Sequence, residues 1–138
     1  MKIYESNELP SCRITGVNYP HIAYFSTCRR FFETRLDGVR TGFITRSWND
    51  RNYDGYNTEI TAANCLNNPH GSPGRVEFTL KKKIPVLPDH DLGTRTLNGC
   101  YREWDRGNWG RVAAGDYYAV VGTFDWNRLT INWLKVVY

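Results

Sequence analysis

The segment from Arg75 to Lys81 constrains the fold more than any other part of the sequence, because apolar and polar residues alternate along it one by one. Val76, Phe78 and Leu80 occupy one side, and charged or hydroxyl-bearing residues occupy the other. A period of two is typical of a β-strand with one face in the core and the other in water. The segment therefore predicts an antiparallel sheet with a wet outer face.

Composition extends this expectation to the whole chain. Aromatic residues make up 14% of the 138 residues, twelve glycines are available for turns, and strong helix formers are scarce. Aromatic and β-branched side chains fit the half-buried surface of a sheet. About nine short strands at roughly ten-residue spacing are typical of a sandwich or a barrel. We therefore predict an all-β fold, an antiparallel β-sandwich or a small closed barrel, in a single domain over residues 1–138.

One segment departs from the strand pattern. Asn57 or Thr58 is suited to cap a helix, and Asn67-Asn68-Pro69 is suited to end it. Such a helix has about two turns, which is too short to be stable without packing against a sheet. We predict one short helix near residues 58–66.

Arginine is concentrated in the first third of the chain. The dipeptide Asp37-Gly38 predicts a tight hairpin turn between residues 30–36 and 39–48. Arginine binds carboxylates and phosphates through a planar fork, and it stacks on aromatic rings. The predicted basic patch on and beside this hairpin consists of Arg29, Arg30, Arg35, Arg40 and Arg46.

The end of the chain predicts a second hairpin, between residues 116–124 and 129–138. The alternation in its last strand slips at Leu134-Lys135, which indicates a β-bulge or a sheet corner. The segment from Leu129 to Val136 is similar to the last strand of β-sandwich carbohydrate-binding modules. That resemblance implies a sandwich fold and a sugar ligand.

Three tryptophans lie in polar, turn-like settings, and we expect their rings to point outward. An indole offers a flat apolar face, and neighbouring Asp, Asn and Arg residues supply hydrogen bonds. The alternative is that the rings fold inward and cap the ends of the fold. The predicted ligand-binding residues are Trp104, Trp109, Trp126, Arg102, Arg106 and Arg128.

The four cysteines, Cys12, Cys28, Cys65 and Cys100, allow three disulfide pairings. No two of them form a C-x-x-C motif, which argues against a zinc ribbon or a thioredoxin-type redox pair. Two interpretations stay open. In an oxidising compartment they form two disulfides, and in a reducing compartment they are four small buried hydrophobic residues.

The sequence offers little support for catalysis. Tyr19-Pro20-His21, Gly71 to Phe78, and Tyr101 to Trp104 resemble short segments of microbial guanyl-type ribonucleases, which cleave RNA with two histidines, a glutamate and an arginine. Here, however, the glutamate segment follows the arginine segment, which reverses the family's order, and the terminal histidine motif is missing. A nucleophile elbow and a lysine-terminated phosphate loop are missing as well. We expect no catalytic residues, no metal and no cofactor.

These features favour a non-enzymatic binding module that recognises a glycan or a protein surface. An alternative is a structural protein of a virus or phage particle (capsid, decoration or tail component), since Trp and Arg are enriched at interfaces. A further alternative is a small secreted toxin, effector or inhibitor with two disulfides. The sequence also leaves open that the chain forms a homo-oligomer or a larger assembly.

Two partner classes are disfavoured. The net charge of +4 is low for a nucleic-acid binder of this size. No apolar run approaches the ~18–20 residues that cross a bilayer, so we expect no membrane partner. Residues 1–6 do not have the pattern of a secretion signal. The sequence leaves both a secreted and a virion-associated location open.

Overall fold

The computed structural model describes residues 30–52, 55–68, 75–122 and 128–138. These residues contain strands and no helix. The strands are β1 (Phe31–Val39), β2 (Trp48–Asp50), β3 (Glu59–Asn68), β4 (Val76–Lys82), β5 (His90–Leu97), β6 (Trp104–Asn108), β7 (Gly115–Val121) and β8 (Arg128–Val137). The prediction of an all-β protein is confirmed. None of the described residues belongs to a helix that could span a membrane.

The strands form two antiparallel sheets of four strands each. Sheet A has the order β1-β8-β3-β6, and sheet B has the order β2-β7-β4-β5. Neither sheet closes on itself among the described strands, because β1 pairs only with β8 and β6 pairs only with β3. The prediction of a small closed barrel is therefore wrong.

The two sheets share one hydrophobic core. Phe32 of sheet A lies 5.8 Å from Trp48 of sheet B, measured between ring centroids, and Trp48 lies 6.4 Å from Tyr117. The alternating segment predicted from the sequence is β4, and its inward residues Val76 and Phe78 are completely buried. The period of two thus correctly identified which side of this strand faces the core.

The helix predicted near residues 58–66 is wrong, because all of this segment after Thr58 belongs to β3. Its backbone pairs with β6 on one side and with β8 on the other. Ile60, Ala62 and Cys65 are completely buried in the core. Two ladders of hydrogen bonds and this burial outweigh the local capping signal, which offers only a marginal two-turn helix. The expected cap Thr58 instead donates its N–H to the Gly110 carbonyl (2.9 Å).

The dipeptide Asp37-Gly38 does not form a hairpin turn. It lies inside β1, where the register against β8 shifts between Leu36 and Val39. Gly38 adopts a φ of +61°, which suits glycine, and its N–H donates to the hydroxyl of Thr130 (3.1 Å). The signal for a positive φ was therefore correct, but the structure uses it for a bulge.

The last strand contains an irregularity, but it lies just before the predicted position at Leu134-Lys135. The register of β8 against β1 shifts, so that Asn132 and Trp133 together lie opposite the single residue Arg35. Ile131 and Leu134 on either side of this pair are both completely buried. The bulge therefore changes which residues face outward, and it places Trp133 on the outer side of sheet A.

Cys65 and Cys100 form a disulfide with a Cα–Cα distance of 5.4 Å. The bond joins β3 to the turn after β5, and the Cys65 N–H donates to the Cys100 carbonyl (3.0 Å). For this pair the disulfide interpretation is confirmed. The other two cysteines, Cys12 and Cys28, lie outside the described residues.

Candidate functional site

The outer face of sheet A carries an open depression with a volume of about 280 Å³. It lies over the central strand β3 and is bordered by β6 on one side and β8 on the other. The residues that line it are Glu59, Thr61, Trp104, Arg106, Trp133, Lys135 and Val137.

Strand register explains why a depression forms here. Ala63 of β3 pairs with Trp104 of β6 and with Trp133 of β8, so a small residue lies between two indoles. In the next row, Thr61 lies between Arg106 and Lys135. Neighbouring strands are about 4.8 Å apart, which places the two tryptophan Cα atoms about 9.5 Å from each other. Short side chains in the middle and long ones on both sides produce a groove along β3.

A polar network lies at one end of this groove. Glu59 is 8% exposed, and its carboxylate accepts hydrogen bonds from Arg106 Nη1 (3.2 Å) and Asn108 Nδ2 (3.2 Å). A carboxylate that is nearly buried needs such partners, because removal from water otherwise costs several kcal/mol, on the order of 2–7 kcal/mol even for a neutral polar group. The network holds hydrogen-bonding groups in a fixed arrangement beside the indole rings.

Aromatic rings and cations stack at both borders of the groove. The Arg106 guanidinium carbon lies 5.3 Å from the centre of the Trp104 ring, and Trp104 is still 53% exposed. On the β8 side, Lys135 Nζ lies 4.5 Å from the centre of the Phe31 ring. Trp104 therefore presents a large apolar surface to solvent, as the sequence predicted.

The turn before β6 is held by Asp105. Its carboxylate accepts hydrogen bonds from the backbone N–H groups of Asn98 (2.8 Å), Gly99 (3.0 Å) and Arg106 (2.8 Å). Burial by itself raises the pKa of Asp105, but the donations from Gly99, Arg106 and Asn98 together lower that pKa below its ordinary value. Asp105 thereby fixes the strand that presents Trp104.

We predict that Asp105→Asn lowers the free energy of unfolding at neutral pH and that the loss shrinks in acid. The pKa of Asp105 is lower in the folded chain, so its carboxylate stabilises the fold above its unfolded pKa of about 3.9. This contribution disappears as the pH falls through the lower, folded pKa. Urea unfolding of both proteins from neutral to acidic pH measures the difference.

The matched control for this prediction is Glu103→Gln, which removes an exposed carboxylate from the same turn. We expect its unfolding midpoint to follow the wild type at every pH. A constant difference between wild type and Asp105→Asn across the whole pH range would contradict the proposed role of the ionised carboxylate.

Trp109 lies on the opposite side of β6 from Trp104. Its ring packs against the core, Nε1 donates to the Gly93 carbonyl (2.9 Å), and the Arg95 guanidinium carbon lies 5.5 Å from the ring centre. A Cβ at Gly107 would lie 3.1 Å from the Trp109 ring, which shows how closely the indole covers that residue. The structure thus does not bring Trp109 to the surface that carries Trp104.

The other predicted ligand-binding residues are distributed along the chain. Arg106 lines the groove, whereas Arg102 is exposed in the turn that precedes β6. Arg128 is exposed at the start of β8, five residues from Trp133, which corresponds to about 16 Å along a strand. Trp126 lies outside the described residues. Of the predicted set, Trp104 and Arg106 are brought together.

Four of the five arginines of the predicted basic patch lie within the described residues. Arg30, Arg35 and Arg40 are exposed. Arg46 lies over the Phe32 ring, 5.0 Å from its centre, on the side of β1 opposite to Arg35. The remaining member, Arg29, lies outside the described residues. The patch as one surface stays a prediction.

Five groove residues were not among the predicted ligand contacts: Glu59, Thr61, Trp133, Lys135 and Val137. Glu59 and Thr61 were hidden by the incorrect helix prediction. Trp133 and Lys135 lie on either side of Leu134, where the alternation of the last strand slips, and that slip was the signal that could have placed them on the outer face. A sequence without strand pairing does not show that β3 lies between β6 and β8.

The arrangement combines flat apolar surfaces with fixed donors and an acceptor. Within residues 30–52, 55–68, 75–122 and 128–138, no group of three His, Cys, Asp or Glu side chains could hold a metal ion. No family model, curated protein or solved structure matches this chain.

Proposed function

We propose that this protein is a non-enzymatic β-sandwich module that binds a glycan on the outer face of sheet A. Two four-stranded antiparallel sheets around one core support the sandwich interpretation. Such a scaffold holds side chains on a strand more rigidly than on a loop, and a rigid site loses less entropy when a ligand binds.

The observation that carries the proposal is the pair of indoles on either side of β3. Trp104 and Trp133 border a groove whose centre contains the small residues Thr61 and Ala63. A sugar ring has an apolar face, which stacks on an indole, and a rim of hydroxyl groups, which exchange hydrogen bonds with fixed polar side chains. The carboxylate of Glu59, with its two donors, supplies such polar groups.

The dimensions favour a glycan over a protein surface. A stable protein interface buries about 800 Å² on each partner. The groove is an open depression of about 280 Å³, which suits one or two sugar rings more than an extended protein surface. A partner protein is the alternative, and a structural role in a virus or phage particle requires the same kind of large contact.

The disulfide favours a secreted setting for this module. Structural disulfides persist in oxidising compartments and are rare where thiols are kept reduced. The bond between Cys65 and Cys100 supports the secreted location over a reducing one. A secreted toxin, effector or inhibitor is compatible with the same bond, and the binding experiment distinguishes these alternatives from a glycan module.

We predict that Trp104→Ala and Trp133→Ala each weaken glycan binding by about 1–3 kcal/mol, the range known for stacking of bases on aromatic side chains. Binding is first located on a glycan array and then measured by quenching of tryptophan fluorescence. Affinity is expected to fall because each substitution removes one wall of the groove, while the strands stay paired through their backbones.

The matched control is Tyr101→Ala, which removes an exposed aromatic side chain from the turn before β6 but not from the groove. We expect its affinity to equal that of the wild type. Silence on the array, or equal losses in all three variants, would count against the proposal. Capture of a purified protein partner combined with array silence would favour the protein-surface alternative.

A further inference from the structure

The middle row of the groove places two cations on either side of a hydroxyl group. Thr61 pairs with Lys135 in β8 and with Arg106 in β6, and all three side chains line the depression. The two cationic residues are separated by two strand spacings, about 9.5 Å between Cα atoms. Both side chains are long enough to reach a group that lies above Thr61.

The two cations differ in how their charge is balanced. Among the described residues, the ion pairs are Arg106 with Glu59 (3.2 Å) and Arg75 with Glu77 (3.9 Å). Lys135 belongs to neither pair. Glu33 is its neighbour in the β1–β8 ladder. The ammonium group of Lys135 instead lies against the Phe31 ring.

Arg106 also keeps donors for a ligand. Only its Nη1 atom donates to Glu59, and a guanidinium group has five N–H donors in a planar fork. The Thr61 hydroxyl makes none of the side-chain hydrogen bonds found within the described residues, so its O–H is another donor toward the groove. Donors of two kinds therefore face this position. The Lys135 ammonium lies against Phe31 on the β1 side of β8, and its flexible stem is long enough to bring it to the same position when a ligand binds.

We propose that the glycan bound in this groove is anionic, and that its carboxylate or sulfate group lies above Thr61 between Lys135 and Arg106. This inference rests on the proposed function and specifies the class of ligand. An anion gains charge-assisted hydrogen bonds there from the Arg106 guanidinium and from Lys135, which belongs to neither ion pair found among the described residues. The indoles of Trp104 and Trp133 stack on the sugar rings beside it.

The experiment compares glycans that differ only in charge. The probes are a galacturonan oligomer and its methyl ester, a hyaluronan oligomer and its methyl ester, and dextran sulfate with unmodified dextran. Affinity is measured by fluorescence titration at low and high salt. We expect an acidic member to bind about tenfold more tightly than its neutral counterpart, because one hydrogen bond to a charged group contributes that factor or more.

Salt and substitution identify the responsible cation. The advantage of the acidic probe should decrease as ionic strength rises. Lys135→Gln should weaken binding of the acidic probe about tenfold more than binding of its neutral counterpart, whereas Lys135→Arg should restore the preference. Lys81→Gln, which removes a lysine from β4 in sheet B, is the matched control and should change neither affinity. Trp104→Ala should weaken both probes.

The results test the anionic ligand and the glycan-binding function separately. If an acidic probe is preferred and Lys135→Gln removes the preference, the inference is supported, and the carboxylate and sulfate probes show which anion is bound. If acidic and neutral members bind equally, the anionic ligand is excluded but the glycan module stands. If no probe binds and the glycan array is silent, the proposed function fails and this inference fails with it. Circular dichroism confirms that each variant is folded.

Discussion

Replacement of Cys65 and Cys100 by serine is expected to lower the free energy of unfolding by about 2–4 kcal/mol. The bond connects residues 35 positions apart, and without it the unfolded chain regains the freedom of that loop. Both cysteines are also almost completely buried, so a serine hydroxyl at either position adds a desolvation cost. Urea unfolding monitored by tryptophan fluorescence measures the loss.

The single variants provide the control for this prediction. Cys65→Ser and Cys100→Ser each break the same bond, so each should cost about as much as the double replacement. Two separate losses that add up in the double variant would instead indicate two independent buried thiols. Mass spectrometry after alkylation of the unfolded wild type, with and without reductant, then checks the bond directly.

The disulfide also affects the candidate site. It ties β3 to the turn that contains Cys100, and Asp105 holds the other end of that turn through the N–H groups of Asn98 and Gly99. Trp104 begins the next strand. We therefore expect the double serine variant to bind its glycan more weakly even under conditions where it remains folded, since the Trp104 side of the groove is less firmly held.

Trp109→Ala is expected to lower the free energy of unfolding by about 3 kcal/mol. The substitution leaves a gap over Gly107, removes a hydrogen bond to the Gly93 carbonyl, and exposes the stem of Arg95. Trp104→Ala removes an indole of the same size that is 53% exposed, and its effect on stability should stay within about 0.5 kcal/mol. Chemical unfolding of both variants tests the contrast.

Trp109→Phe serves as the matched control. It retains an aromatic ring against Gly107 and removes the Nε1 donor, so we expect a loss of about 1 kcal/mol. If Trp109→Ala is as stable as the wild type and binds glycan less tightly, the interpretation of this ring as part of the core is wrong. In that case the original prediction of Trp109 as a ligand contact regains support.

The local sequence pattern predicted the structure correctly where apolar residues occupy one face of a strand and polar residues the other. In β4, the alternation of Val76, Phe78 and Leu80 with polar residues correctly predicted which side chains are completely buried. Composition correctly predicted an all-β protein, because aromatic and β-branched residues are suited to half-buried sheets regardless of which strands pair. These features depend on residues close together in the chain.

Local pattern failed where distant strands compete with it. The capping signal at Thr58 describes a helix of two turns, but β6 and β8 supply hydrogen bonds along both edges of the same segment. Asp37-Gly38 has the dihedral preference of a hairpin turn, yet Gly38 serves a bulge between β1 and β8. In both cases the local conformational preference of the residues exists, but pairing between distant strands determined the structure that formed.

Trp104 and Trp109 show the same difference between what the local sequence determines and what strand pairing determines. Both stand among Gly, Asn, Asp and Arg residues, so the sequence by itself determined only that large aromatic side chains occur there. The register of β6 and of the residue after it directs the Trp104 ring outward and the Trp109 ring against the core. Trp133 reaches the groove because of a bulge opposite Arg35. Tertiary structure alone decided which indoles share a face, because strand pairing depends on residues far apart in the chain.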